Sequence, residues 1–170
     1  MKEILEYISN YDDFPQKGTI FKDLFGILRE PNIFRGLIDR MASSQEIQAS
    51  DAIIAIEARG FIFGSAIAFH SGKPMIVARK PNKLPGKLLM KKYDLEYGSN
   101  ILTIQKESIE KYKRFSVVDD VLATGGTAKC VSDLMLSAGK EILGYSMVIE
   151  IASLNGRNNL MGPVNSQVII

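Results

Sequence analysis

Two short apolar runs, each leading through a turn into a helix-like stretch and out to another apolar run, restrict this chain more than any other feature. "AIIAI", residues 52 to 56, passes through "RGFIFGSAIAFHSG" to "PMIVARK". The first run is short, continuous and β-type, and the middle stretch has helical periodicity ending at Gly72, a residue suited to a helix C-terminus. Strand, helix and strand buried in that order make a βαβ unit, which implies parallel strands and a right-handed crossover. "FSVVDDV", ATGGT, "AKCVSDLMLSAG" and "LGYSMVIEI" repeat the arrangement. The expected fold class is therefore α/β, a doubly wound, mainly parallel sheet flanked by helices. A length of 170 residues suits a single domain.

Between the two units lies "KPNKLPGKLLMKKYDLEYGSNILTIQ", rich in Lys and Gly, which predicts a flexible loop or hairpin over an active site at about residues 80–100. Upstream, Ile4, Leu5, Ile8 and Tyr11 share a helical stripe, which predicts a helix over residues 2–11. Ile33, Phe34, Leu37, Ile38 and Met41 repeat that pattern after Pro31 and predict a second helix. "DFPQKGTIFKDLFGIL" between them has too many aromatics for a linker, and a hood-like segment over something is expected at about residues 1–30.

A formal charge of +2 with a pI near 8.6, and no run of five or six like charges, give no sign of a nucleic-acid arm, and no nucleic-acid partner is expected. Cys130 is the only cysteine, which excludes an intrachain disulfide and a cysteine zinc cluster and fits a reducing cytosol. It reads as a core residue. No signal-like or membrane-length apolar stretch occurs, so a soluble cytoplasmic protein with no membrane partner is expected. His70 stands alone near a helix end, where a capping or packed imidazole is the ordinary reading. Tyr7, Tyr11 and the scattered methionines read as packing.

"VVDDVLATGGTA", residues 117 to 128, carries the chemistry. Ligands of open α/β sheets bind beyond the carboxyl ends of strands, where a turn opening a helix offers unpaired N–H groups and the positive end of the helix dipole. Gly125 and Gly126 allow the backbone to wrap an oxyanion, and Thr124 and Thr127 can add hydroxyl donors. ATGGT alone is equally compatible with a plain strand-to-helix turn. Asp119 and Asp120 change the reading: they would repel a triphosphate, yet they can accept hydrogen bonds from two adjacent hydroxyls near a phosphate. A ribose 5-phosphate has that form. No stretch matches G-x-x-x-x-G-K-[ST], and "TGGTAKC" lacks the G-x-G-x-x-G register, which argues against kinase and dehydrogenase readings.

The apolar residues, two carboxylates and TGGT of this motif resemble the 5-phosphoribosyl 1-pyrophosphate motif of the type I phosphoribosyltransferases. "DFPQKGTIFKDL", "IEARGFIFG", "RKPNKLPGK" and "YDLEYG" resemble, in order and spacing, segments of the adenine-specific members. The resemblance implies that Asp119 and Asp120 bind the ribose hydroxyls and that Ala123, Thr124, Gly125, Gly126 and Thr127 bind the 5-phosphate. It implies that Glu57, Ala58 and Arg59 form the pyrophosphate loop, with Arg79, Lys80 and Lys83 compensating the leaving group, although a solvated Arg and a solvated charge run are the ordinary readings. Catalytic roles are implied for Glu96, Asp119, Asp120 and Arg59, Glu96 as the proton handler. Ile20, Phe21, Lys22, Leu122 and Tyr97 are the implied adenine contacts; Phe21 and Leu122 suit a core equally well, since stacking platforms and cores use the same side chains.

By the same resemblance the reaction is adenine plus 5-phosphoribosyl 1-pyrophosphate giving AMP plus pyrophosphate. Mg²⁺ is implied, held mainly by the substrate because no protein ligand cluster is evident, and a homodimer is expected. A phosphoribosyltransferase for xanthine, guanine or orotate is the nearest alternative, and a non-catalytic sensor of phosphoribosyl pyrophosphate is another. Three departures from the family pattern bear on base affinity and the loop more than on reaction type. Lys17 stands at the second proline of P-x-P-G (Pro15, Gln16, Lys17, Gly18), Lys22 replaces the usual Arg, and Asn82 replaces a Gly in "RKPGKLPG".

Overall fold

The computed structural model describes residues 2–94 and 99–170. The chain opens with α1 (Lys2–Leu5) and a two-stranded antiparallel ribbon, β1 (Ser9–Asp12) and β2 (Ile20–Asp23). The helix expected over residues 2–11 is thus only one turn long. A helix of that length is marginal without packing, and Ser9 and Asn10 are weak helix formers. Pairing with β2 across a turn with positive φ at Asp13 and Gly18 satisfies this backbone instead. Ile4 is buried, but Tyr11 is 55% exposed and is not the packing residue expected.

Next come α2 (Phe25–Leu28), α3 (Pro31–Ala42) and α4 (Gln45–Ala49). Pro31 starts α3, where its missing N–H costs nothing, and Leu37, Ile38 and Met41 form its buried stripe. The first βαβ unit is β3 (Ala52–Ile56), α5 (Gly60–Ser71) and β4 (Met75–Ala78), with Gly72 in the left-handed region ending α5. A hairpin of β5 (Leu88–Asp94) and β6 (Ser99–Gln105), then α6 (Lys106–Ile109), leads to the second unit. That unit is β7 (Arg114–Leu122), α7 (Gly126–Ser137) and β8 (Glu141–Glu150). Two 3-10 turns, Ala152–Leu154 and Gly156–Asn159, precede β9 (Val164–Ile169), a strand the sequence did not announce.

The main sheet has the order β4-β3-β7-β8-β9 with every pair parallel. Both faces are covered, as the continuous apolar strands require. Ala52, Ile54 and Ile56 point into the core beneath α7, with Val131, Leu134 and Met135. Ile53 points to the other side, among Phe63 and Ile67 of α5 and Leu37 and Met41 of α3. Removing Ile54 to Ala, in a site of zero exposure, should cost about 2–5 kcal/mol. Cys130 lies in the α7 core as expected.

Candidate active site

The chain runs outward from β3 to β4 and then returns to the other side of β3 as β7, so the direction of winding switches between β3 and β7. In such sheets the crevice beyond the carboxyl ends at this point is where ligands bind. Residues 57 to 59 leave β3 there, Asp119 to Leu122 end β7 beside them, and Arg79 and Lys80 leave β4 on the far side of β3.

The two central turns touch through a glycine. A Cβ on Gly60 would lie 2.7 Å from Asp119 Oδ1 and 3.2 Å from its Cα, so the first turn of α5 sits directly against the acid. Asp119 lies deep in the crevice yet keeps a solvent-facing edge. Its carboxyl is held well above the usual carboxylate range, first by burial and then by the negative charge of Asp120. Its Oδ1 accepts the backbone N–H of Asp120 at 2.9 Å. Asp120 is 7% exposed, and Arg59 Nε approaches its Oδ2 to 2.5 Å. The approach is off the N–H direction, and this buried oxygen has no aligned hydrogen-bond donor.

Arg59 does more than face solvent. Its Nη1 donates to the Lys22 carbonyl at 2.8 Å, and its guanidinium lies 4.7 Å from the centre of the Phe21 ring. Phe21 in turn meets Phe14 edge-on at 5.2 Å. Arg59 therefore ties the β1–β2 ribbon to the acidic pair, an arrangement that sequence spacing does not disclose. The Lys22 ammonium reaches back to Asn10 Oδ1 at 2.9 Å, across the ribbon. Ile20 is exposed beside it, whereas Leu122 is 1% exposed within the α7 core. Phe21 belongs to the ribbon over the site, whereas Leu122 packs in the α7 core and, with its half-buried neighbour Val121, also borders the turn cavity.

Ala123, Thr124, Gly125, Gly126 and Thr127 carry the chain from β7 into α7, with Gly125 at φ 81° as the residue before the helix. With Asp119 they border a cavity of about 60 Å³. The N–H groups and the positive dipole end at the start of a helix favour an anion here.

On the other flank, Glu57 accepts Arg79 Nε at 2.8 Å and the backbone N–H of Lys80 at 2.5 Å. Its carboxylate is thus engaged by the basic segment. Arg79 also pairs through its backbone with Thr103 of β6, which joins the base of the hairpin to the site. Lys80 and Lys83 are exposed. Asn82 adopts φ 63°, a left-handed conformation that Asn tolerates better than other side chains, which accounts for Asn standing where the family pattern has Gly. Glu96 and Tyr97 lie outside the described residues. His70 Nδ1 is 3.6 Å from Asp39 Oδ1 on the opposite side of α5's packing, away from these groups.

Among the described residues no three or more His, Cys, Asp or Glu side chains gather as a metal site. Mg²⁺ is commonly held by one or two carboxylates plus substrate phosphate oxygens, and Asp119 and Asp120 suit that pattern.

A sugar phosphate seated in the turn would present its ring hydroxyls to the acids and its leaving group to the basic flank, the layout of the type I phosphoribosyltransferases. Residues 26–165 match the family described as phosphoribosyl transferase domain. The chain belongs to this family, among its adenine phosphoribosyltransferases. An adenine phosphoribosyltransferase of Prochlorococcus marinus (strain MIT 9515) is 57% identical over 98% of this chain and 97% of its own length. The crystal structure of the adenine phosphoribosyltransferase from Thermoanaerobacter pseudethanolicus superposes with a TM-score of 0.93 at 37% identity, covering 99% of both chains. That of Saccharomyces cerevisiae, crystallised with adenine and an imino-altritol bisphosphate, has a TM-score of 0.89 at 34% identity, covering 97% of this chain and 96% of its own.

Proposed function

We infer that the protein transfers the 5-phosphoribosyl group of 5-phosphoribosyl 1-pyrophosphate to N9 of adenine, forming AMP and pyrophosphate in purine salvage. The observation that carries this reading is the Asp119–Asp120 pair, Asp120 buried and Asp119 half-buried, set directly beside the helix-opening turn at the sheet's switch point. As the bond from C1 of the ribose to pyrophosphate breaks, positive charge develops on the ring, and the two carboxylates stabilise it where water is largely excluded. N9 of adenine bonds to C1 and gives up its proton; Glu96 is assigned that proton and Tyr97 the cover over the reacting centre. The turn Ala123 to Thr127 holds the 5-phosphate. Backbone groups of the Glu57 to Arg59 turn, with Arg79, Lys80 and Lys83, meet the pyrophosphate. Mg²⁺, held mainly by substrate oxygens with Asp119 and Asp120 as the carboxylates that would help hold it, would supply charge neutralisation on the pyrophosphate. Main-chain groups of Ile20 to Lys22 read the base edge beneath Phe21.

The direct test is to incubate the protein with Mg²⁺, phosphoribosyl pyrophosphate and each base separately and identify the nucleotide. AMP should form fastest; faster GMP, XMP or orotidylate would overturn the assignment.

A homodimer is part of this reading. Phe69 is 92% exposed beside Leu28, Phe34 and Ile38, an apolar face suited to a second copy. Sedimentation should give twice the monomer mass, and Phe69→Glu should lower it; a monomeric wild type would remove the dimer. No helix among the described residues is long and apolar enough to cross a membrane, and the lone reduced cysteine suits the cytoplasm.

A further inference from the structure

The 3-10 turn Gly156–Asn159 follows β8 and is far in sequence from the phosphate-type turn, yet the two interlock backbone to backbone. A Cβ on Gly156 would overlap the carbonyl oxygen of Ala123 and lie 3.0 Å from the nitrogen of Gly125. A Cβ on Gly125 would overlap the carbonyl of Gly156 in return. Asn159 Nδ2 donates to the Thr124 carbonyl at 2.8 Å. That bond has a directional effect. In a planar trans peptide the carbonyl of Thr124 and the N–H of Gly125 point in opposite directions, so holding one aims the other.

The 3-10 turn is itself pinned. Arg157 Nε and Nη2 donate to the two oxygens of Glu150 at 2.6 and 2.5 Å, and Ser166 Oγ of β9 donates to the same carboxylate at 2.7 Å. Glu150 is 3% exposed at the end of β8, and a planar two-bond pairing fixes orientation as well as distance. A chain of contacts thus runs from the sheet through Glu150, Arg157, Gly156 and Asn159 to the backbone of Ala123 to Gly125.

We propose that Arg157 and Asn159 are positioning residues for the 5-phosphate turn, acting on its peptide planes and not on the ligand. This rests on the functional reading above. The turn contains two glycines and a positive φ, so its amides converge on an anion only while something outside it restricts the backbone. The role belongs to the phosphate end of the substrate and not to the base end, because every contact named falls on residues 123 to 125.

Equilibrium binding of ribose 5-phosphate and, separately, of adenine separates this from a general structural role. Asn159→Ala removes an exposed side chain and should fold; it should weaken ribose 5-phosphate by about tenfold while leaving adenine affinity and melting temperature unchanged. Arg157→Gln should act in the same direction, and Arg157→Lys should recover part of the loss. In steady state, KM for phosphoribosyl pyrophosphate should rise more than kcat falls. Unchanged ribose 5-phosphate affinity in both Asn159→Ala and Arg157→Gln, or equal losses for both ligands, overturns the proposal. A wild type that does not bind ribose 5-phosphate also overturns it. If the wild type binds ribose 5-phosphate but forms no AMP, and the variants lose that binding, the positioning role is supported and the assigned reaction is overturned.

Discussion

Arg59 places its Nε 2.5 Å from Asp120 Oδ2 while its Nη1 holds the Lys22 carbonyl at 2.8 Å, so one side chain joins the acidic pair to the ribbon above it. The family resemblance implied a pyrophosphate contact for this arginine; its geometry makes it a bridge as well. Arg59→Gln should therefore raise KM for adenine, by about tenfold if the Phe21 contact has the worth of a partly desolvated cation–π pair. Steady-state kinetics with each substrate varied would show this. An unchanged adenine KM means that the bridge holds nothing the base needs.

Asp119→Asn should lower activity and raise stability together. The unfolded carboxyl ionises near 3.8, whereas the folded one is held well above that value by burial and by Asp120. The folded state thus retains a proton that the unfolded chain has released, and stability falls as pH rises from the unfolded value through the raised folded one. The amide has no such penalty, so the variant's melting temperature should exceed the wild type's by a margin that grows with pH in this window. Turnover should drop by about 10² or more, from lost stabilisation of the ribose cation. A margin that stays flat as pH rises above the unfolded value counts against the burial cost.

Gly60→Ala places a methyl 2.7 Å from Asp119 Oδ1. It should reduce kcat/KM by about 10² through displacement of the acid. Gly36→Ala in α3 is the matched control, because its Cβ meets nothing closer than Arg40 Nη1 at 3.6 Å. It should leave activity alone and stabilise the helix by about 0.5–1 kcal/mol. Comparable activity in the two variants would sink the close-approach argument.

The Cys130 thiol is 2% exposed and burial pushes it up to about 11. It should resist thiol reagents at pH 8 until the protein is denatured, and Cys130→Ala should keep full activity with about 1 kcal/mol of lost packing. Rapid labelling of the native protein contradicts this placement.

Glu96→Gln keeps size and removes the base. Single-turnover AMP formation should slow by roughly 10² to 10⁴, with phosphoribosyl pyrophosphate affinity little changed. A wild-type rate across the pH range would leave Glu96 without its assigned proton.

The sheet was readable because both βαβ units announce themselves by apolar continuity, and AIIAI coincides with β3 from Ala52 to Ile56. The acidic pair and its turn were readable for a similar reason: the residues that make them are contiguous. The β1–β2 ribbon was not, because Ile4, Leu5, Ile8 and Tyr11 fit a helical stripe while the pairing that overrides it comes from Ile20 to Asp23. Arg59's hold on Lys22 and the Glu150–Arg157 pair were equally hidden, since each depends on contacts that no local period encodes. The glycine at position 156 gave one faint signal, a small residue in an otherwise polar turn.

The interlock of Gly125 with Gly156 also sets an order of assembly. Arg59 reaches the Lys22 carbonyl across 37 residues, Asn159 reaches Thr124 across 35, and Arg59 also meets Asp120 of the second unit, so the crevice is absent until segments from both halves of the chain have docked. Such non-local closure is slow to form, because loop entropy is lost before the contacts compensate it. A substrate that binds only the finished crevice then stabilises the finished fold and none of the partial ones, with a gain that grows as the logarithm of its concentration over Kd. In a cell, the supply of phosphoribosyl pyrophosphate would thus influence how much of this enzyme survives proteolysis as well as how fast it turns over.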